Sequence, residues 1–305
     1  MPTSTNQAHF NSVLTDISVN YTPPDLVARE LLKPVNVTHE NDVYPVFDKS
    51  GFDIENDLRA DGAEANETDL GWKYVPYQCE EHALKTVLTK RQQDNADDPA
   101  DLEARKTENV KQKVLNRLEN LVFGTGGFAR STTNVINARN FDWSNPATAT
   151  VRNNIDLLKE DVEVASGVTP NTLVLTPQVA RAIMRTAEWR DEAKYTNDLR
   201  ADNDIPVQFY GLNVITVGSL YNTGRKGQTR TLGRMMGDDV LVCYIAPGGL
   251  SQNVLTWAAL LYTEEYAAKW YDDNRRAWLI EYGYIYTPQL VAKECAALGQ
   301  TVLTP

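Results

Sequence analysis

A chain of 305 residues with 42% hydrophobic and 23% charged residues can bury a sizeable core and is too apolar for wholesale disorder. Its formal net charge is −11, and residues 1–70 alone hold 13 acidic against 4 basic side chains, so the clustered Lys and Arg that grip phosphate are missing and sequence-specific DNA reading is excluded. Cys79, Cys243 and Cys295 are odd in number, far apart and without CxxC spacing, which fits free thiols in a reducing compartment; no N-terminal apolar segment has signal-peptide character, so synthesis in the cytoplasm is expected.

Residues 1–21 are polar with isolated Phe10, Val13, Leu14 and Ile17, and read as an arm. Thr22-Pro23-Pro24 opens a short helix through Leu26, Val27, Leu31 and Leu32, which Pro34 is expected to end. Extended, Pro-punctuated chain follows through Val43, Val46 and Phe47. Between Phe52 and Gly71 apolar periodicity disappears, and Asp53, Glu55, Asp57, Asp61, Glu64, Glu67 and Asp69 stand against Arg59 alone. Such a loop inside a folded chain implies a role. From Trp72 to Leu88 the chain is strand-like again, so the two halves predict an extended hairpin with an acidic tip.

The next stretch, Asp98 to Gly124, predicts one long helix. Asp98 suits the N-cap, Pro99 the first turn and Gly124 the stop, while Val110, Val114, Leu118, Leu121 and Val122 recur at spacings of three and four. Lys106, Lys111, Arg117 and Glu119 are expected to point mostly off that buried stripe. At about 1.5 Å per residue the helix would run roughly 38 Å. Gly126 to Arg152 reads as a linker with Phe141 and Trp143 as anchors. Ile155, Leu158, Val162 and Ala165 predict a helix ended by Gly167, followed by a strand at Thr172–Leu175 and a helix opened by Thr176-Pro177. Val214–Val217 and Val240–Ile245 add strands, so this part is mixed α/β. The uncharged run from Val240 to Thr263 is broken by Pro247-Gly248-Gly249 and reads as two buried strands joined by a turn, not a membrane span. Last, Trp278, Ile280, Tyr282, Tyr284 and Tyr286 alternate along one strand face after a turn at Asp272-Asp273-Asn274.

Catalytic chemistry is thinly represented. Gly124-Thr125-Gly126-Gly127 follows a helix and lacks a Lys-Ser/Thr, so it reads as a helix stop with a flexible linker, and Gly224-Arg225-Lys226-Gly227 lacks Walker spacing and reads as a hairpin turn. Asp53, Glu55 and Asp57 alternate as in a calcium loop, but Leu58 stands where the sharp turn needs Gly. His9, His39 and His82 form no metal or triad motif. Glu264-Glu265 and Asp272-Asp273, with the aromatic stripe as a sugar platform, keep a carbohydrate-active enzyme as an alternative. Against it, adjacent strand residues face opposite ways and an alternating aromatic face suits sheet core. No catalytic residue, cofactor or metal site is expected.

The order of features resembles the major capsid proteins of tailed bacteriophages with the HK-ninety-seven-like fold. The stretches that carry the resemblance are Asp16-Ile17-Ser18-Val19 with Asp25-Leu26-Val27-Ala28, Pro34-Val35 leading into Tyr44-Pro45-Val46-Phe47-Asp48-Lys49, and the helix from Asn109-Val110 to Leu121. Further matches are Gly167 to Leu175 and Tyr221-Asn222-Thr223 with Gly227-Gln228. The resemblance implies an α+β fold with an N-terminal arm (1–42), an extended E-loop hairpin and strand (43–90) and a peripheral domain with a long spine helix (91–150, helix 98–124). An α/β axial domain (151–250) and a return to peripheral strands (251–305) complete it. It implies self-assembly into hexamers and pentamers of an icosahedral head around double-stranded DNA, located in the virion and assembled in the host cytoplasm, with no membrane. Asp53, Glu55, Asp57, Arg59, Asp61, Glu64, Glu67 and Asp69 become subunit-interface candidates. Expected partners are a separate scaffold protein, since at most some forty residues precede the loop, together with a portal and a decoration protein. Some relatives weld subunits through Lys to Asn; the loop from Asp53 to Asp69 has no Lys, so no such crosslink is expected. An encapsulin-type compartment shares the fold and is the nearer alternative.

Overall fold

The computed structural model describes residues 9–10, 26–46, 53–54, 57–59, 61, 64–67, 73–96, 99–196, 205–224, 227–229, 231–247 and 255–303. Over these, β1 (His9–Phe10), one helical turn α1 (Ala28–Leu31) and β2 (Lys33–Asn36) precede the paired β3 (Asn41–Val46) and β4 (Lys73–Gln78). β5 (Glu80–Thr89), the short α2 (Lys90–Asp94) and α3 (Pro99–Phe123) follow. β6 (Ala138–Asn140) leads to α4 (Val151–Ser166), β7 (Thr172–Leu175), α5 (Pro177–Arg185) and α6 (Ala187–Thr196). Next come β8 (Gln208–Phe209), β9 (Leu212–Thr216), β10 (Leu220–Asn222), β11 (Leu232–Arg234) and β12 (Val240–Cys243). The long β13 (Ala258–Asp272) and β14 (Ala277–Leu290), then β15 (Ala296–Gln300), close the order.

The long helix stands where its pattern puts it, over 25 residues. Gly124 stops it by donating its N–H to the Asn120 carbonyl at 2.8 Å, and Gly126 turns the chain at φ 72; the Asp98 cap lies outside the described residues. One expectation fails here: Lys111 and Glu119 are both fully buried. Leu115 is buried as well and widens the expected stripe. Lys111 and Glu119 sit four residues either side of Leu115, so the wider buried arc takes them inside. At the short helix the turn ends at Leu31, and Pro34 lies within β2, an edge strand whose missing N–H costs no ladder bond.

Two sheets organise the rest. A five-stranded sheet runs β1-β13-β14-β5, with β2 pairing β13 in parallel near its start. α3 packs on one face of it, against Tyr282, Tyr284 and Tyr286, which are buried as sheet core as their alternation predicts. The β13–β14 register slips between Tyr262 and Glu264. That bulge resets the alternation, so Glu265, opposite Tyr284, faces α3 whereas Glu264 is exposed. The turn after β13 is closed by Asp272, whose carboxylate accepts from the N–H groups of Asn274 at 3.0 Å and Arg275 at 3.3 Å.

A six-stranded sheet has the order β6-β15-β12-β7-β9-β8 and carries α4 and α5. α4 ends at Gly167, φ 70, in the left-handed conformation that glycine adopts without strain. Thr176 precedes α5 but spends its hydroxyl on the Gly237 carbonyl at 3.2 Å rather than on a cap. The stretch read as a linker is built in: β6 pairs β15, and Trp143 is buried. The run from Val240 to Thr263 holds two buried strands, but β12 and β13 belong to different sheets, so no turn pairs them. After β14 the chain crosses to this sheet, where β15 pairs β12 and β6. A single apolar cluster spans α3, both sheets and α1, including Leu118, Tyr284, Val174 and Leu241.

Candidate functional site

The acidic loop is carried by a rigid root. β3 and β4 pair antiparallel from Asn41 opposite Gln78 to Val46 opposite Lys73, and the chain returns at Cys79 to enter the five-stranded sheet as β5. The strand-like stretch 72–88 is therefore two strands, one in each pairing. Tyr44 and Tyr77 meet edge to face at 6.2 Å over Ala259 and Leu261. The Tyr44 hydroxyl donates to the Leu290 carbonyl at 2.7 Å, and burial pushes its pKa up to about 12. The Tyr77 hydroxyl donates to the His39 carbonyl at 3.0 Å. These bonds fix the angle at which the hairpin leaves the body.

Beyond the root, Asp53, Asp57, Arg59, Asp61, Glu64 and Glu67 are all exposed, while Glu55 and Asp69 lie outside the described residues. Two apolar side chains stand among them, Ile54 at 100% and Leu58 at 82% exposure. An exposed apolar pair framed by carboxylates has the anatomy of a small contact surface, with an apolar centre and a charged rim. Ile54 and Leu58 were available in the sequence at a spacing of four, but the density of carboxylates drew the reading to charge alone.

The second polar feature, an ionic joint under α1, has no counterpart in the sequence reading. Glu119 accepts from the backbone N–H groups of Ala28 at 2.9 Å and Val27 at 3.3 Å and from the Ser219 hydroxyl at 3.1 Å. Burial holds its pKa above the ordinary carboxylate range although these three donors oppose it. One spine carboxylate thus ties α1 and the segment before β10 to α3. Beside it, Glu265 takes the Tyr282 hydroxyl at 2.5 Å and the Arg29 guanidinium at 3.0 Å, and Lys111 lies 3.7 Å away. Arg29 stacks over the Tyr284 ring at 4.5 Å. Burial depresses the Lys111 pKa, with Glu265 opposing and Arg29 reinforcing that shift.

This arrangement also decides the fate of the paired carboxylates considered for acid–base work. Glu265 is committed to the joint, Glu264 points to the other side of the sheet, and Asp272 closes a turn. They do not converge on one space as a glycosidase pair must. The three cysteines are buried free thiols, and among the described residues no group of His, Cys, Asp and Glu is placed to hold a metal. Among those residues no helix is long and apolar enough to cross a membrane.

Neither a family model nor a curated relative matches the sequence. Solved structures do. A phage-related protein from Bordetella bronchiseptica RB50 superposes with TM-score 0.73 at 17% identity, covering 98% of this chain and 99% of that one. The mature capsid of bacteriophage PhiM1 matches with TM-score 0.57 at 10% identity, over 92% of this chain and 87% of that one. The holo-SrpI encapsulin complex from Synechococcus elongatus PCC 7942 matches with TM-score 0.57 at 12% identity, over 92% and 88%. With a mixed helix and sheet architecture aligned over nearly its whole length, the chain has the HK-ninety-seven-like fold of phage capsid and encapsulin shells.

Proposed function

We propose that this chain is the major capsid protein of a tailed bacteriophage, a structural homo-oligomer that builds an icosahedral head around double-stranded DNA. The likeness to a phage-related protein and to a mature phage capsid over most of each chain carries the reading. In it, residues 1–42 form the arm, 43–90 the E-loop and its strand, 91–150 the spine-helix region of the peripheral domain, 151–250 the axial domain and 251–305 the strands that return, β13 and β14 to the five-stranded sheet and β15 to the six-stranded one. Six copies or five close into capsomers, and a scaffold, a portal and a decoration protein complete the particle, assembled in the host cytoplasm. The acidic loop lies over a neighbouring copy, where its charges set register and partner choice more than affinity.

Deleting residues 54–68 tests the loop's part. The root bonds of Tyr44 and Tyr77 do not involve the deleted residues, so the subunit keeps its circular dichroism spectrum and thermal transition while sedimenting shells are lost. Normal shells from the deletion would remove the loop from assembly.

The encapsulin likeness favours a second reading, a compartment shell holding protein. Contents separate the two: nuclease-resistant DNA in purified particles supports the phage head, and a stoichiometric enzyme cargo with no DNA supports the compartment.

A further inference from the structure

The joint between α1, α3 and β13 holds one more charge than it pairs. Arg29 from α1 and Lys111 from α3 both turn to Glu265 of β13, and the three side chains are 25%, 0% and 14% exposed. Glu265 and Arg29 are the charges that bear on Lys111, so two cations share one anion in a closed space. A surplus buried cation is costly unless a partner neutralises it.

Two donors in the joint are also left over. Lys111 Nζ stands 3.7 Å from Oε1 of Glu265, beyond hydrogen-bond length, and is buried with no partner among the described residues. Arg29 spends Nη2 on Oε2 of Glu265 at 3.0 Å, while its Nε, on the same edge of the planar guanidinium, is buried without a partner among those residues too. Both unused donors therefore border the same carboxylate, one beside each oxygen. Nothing else at the joint accepts from them. The Tyr282 hydroxyl already donates to Oε1 at 2.5 Å, and the Tyr284 ring lies under the face of the guanidinium, 4.5 Å away, not at its edge. Buried cationic donors in native interiors have an acceptor, so this pair marks a place for one.

We infer that the joint binds one small monovalent anion of the chloride class, which accepts from Lys111 Nζ and Arg29 Nε. Charge sets the class: with Arg29, Lys111 and Glu265 present, a single monoanion makes the set neutral, whereas a divalent anion would leave a net negative charge beside Glu265. Enclosure sets the size, since Lys111 is fully buried and the other two side chains are mostly so. The anion then joins α1 to α3 and β13, and halide tightens the hold of the body on α1. This site goes beyond the shell reading and does not depend on it.

Thermal unfolding at fixed pH and ionic strength reads the site when sodium chloride is exchanged for sodium gluconate, whose anion is too large for the joint. As chloride replaces gluconate, the midpoint of the unaltered chain rises along a saturating curve by roughly 2 °C, and bromide acts in the same way. Lys111→Met, with its fold checked by circular dichroism, loses that rise. Hydrogen–deuterium exchange of residues 27–32 slows in chloride in the unaltered chain and not in the variant. A direct observation on the unaltered chain stands beside these: crystals soaked in bromide show an anomalous peak within hydrogen-bond distance of Lys111 Nζ and Arg29 Nε. Equal midpoints in chloride and gluconate, or a bromide soak with no peak at the joint, would show that water alone fills it and overturn the assignment. A chloride response kept by Lys111→Met would place the anion elsewhere and overturn it equally.

Discussion

Among single residues, Lys111 and Glu265 make opposite predictions although they belong to one cluster. Two cations, Arg29 and Lys111, share the Glu265 carboxylate, and Lys111 finds no hydrogen bond among the described residues. Removing the anion strands two charges, so Glu265→Gln should cost about 3 kcal/mol, whereas Lys111→Met removes the surplus charge and should change stability by less than about 1 kcal/mol or raise it. Urea titrations of both variants check the order; equal losses would contradict it. The pH dependence has a definite sign. Lys111 holds its proton less tightly folded than unfolded, so stability rises with pH in the window just below its ordinary 10.5, and that slope should flatten in Lys111→Met. Glu119→Ala leaves two backbone N–H groups and the Ser219 hydroxyl without their acceptor, for an expected cost of roughly 2–4 kcal/mol in the same titration.

For the secondary-structure elements, the spine helix and the β13–β14 hairpin carry the fold. Leu118 lies on the buried stripe of α3 in the cluster that joins both sheets. Leu118→Asp should therefore cost on the order of 3 kcal/mol or more and remove folded, soluble subunit from expression trials. Gly283 has a different reason to be small: a Cβ there would fall 2.3 Å from the Tyr266 ring. Gly283→Ala must push that ring off Glu81 and Glu281, for about 1–2 kcal/mol and a lowered thermal midpoint. Elements with a strong local signal were legible in the sequence: α3 from its stripe, α4 from its stripe and Gly167, the tyrosine strand from its alternation. What stayed hidden depends on contacts far along the chain. Glu119 binds residues 91 and 92 positions earlier, and Glu265 meets Arg29 across 236 positions, so no window around either carboxylate reveals its burial. The pairing of β15 with β12, likewise, is decided by the assembled sheet, not by its own five residues.

At the scale of the whole molecule, one apolar cluster joins the two large sheets, and the β3–β4 pair leads into the acidic loop. The loop from Asp53 to Asp69 offers no lysine for a covalent weld, so purified particles should dissolve on denaturing gels to a single monomer band, and a ladder would contradict this. The most direct test of the central claim is negative-stain electron microscopy of the chain expressed alone and with the scaffold protein that the proposed function calls for. Closed shells, or rings of five and six, are the predicted result. A folded, monodisperse monomer in both samples would contradict the account.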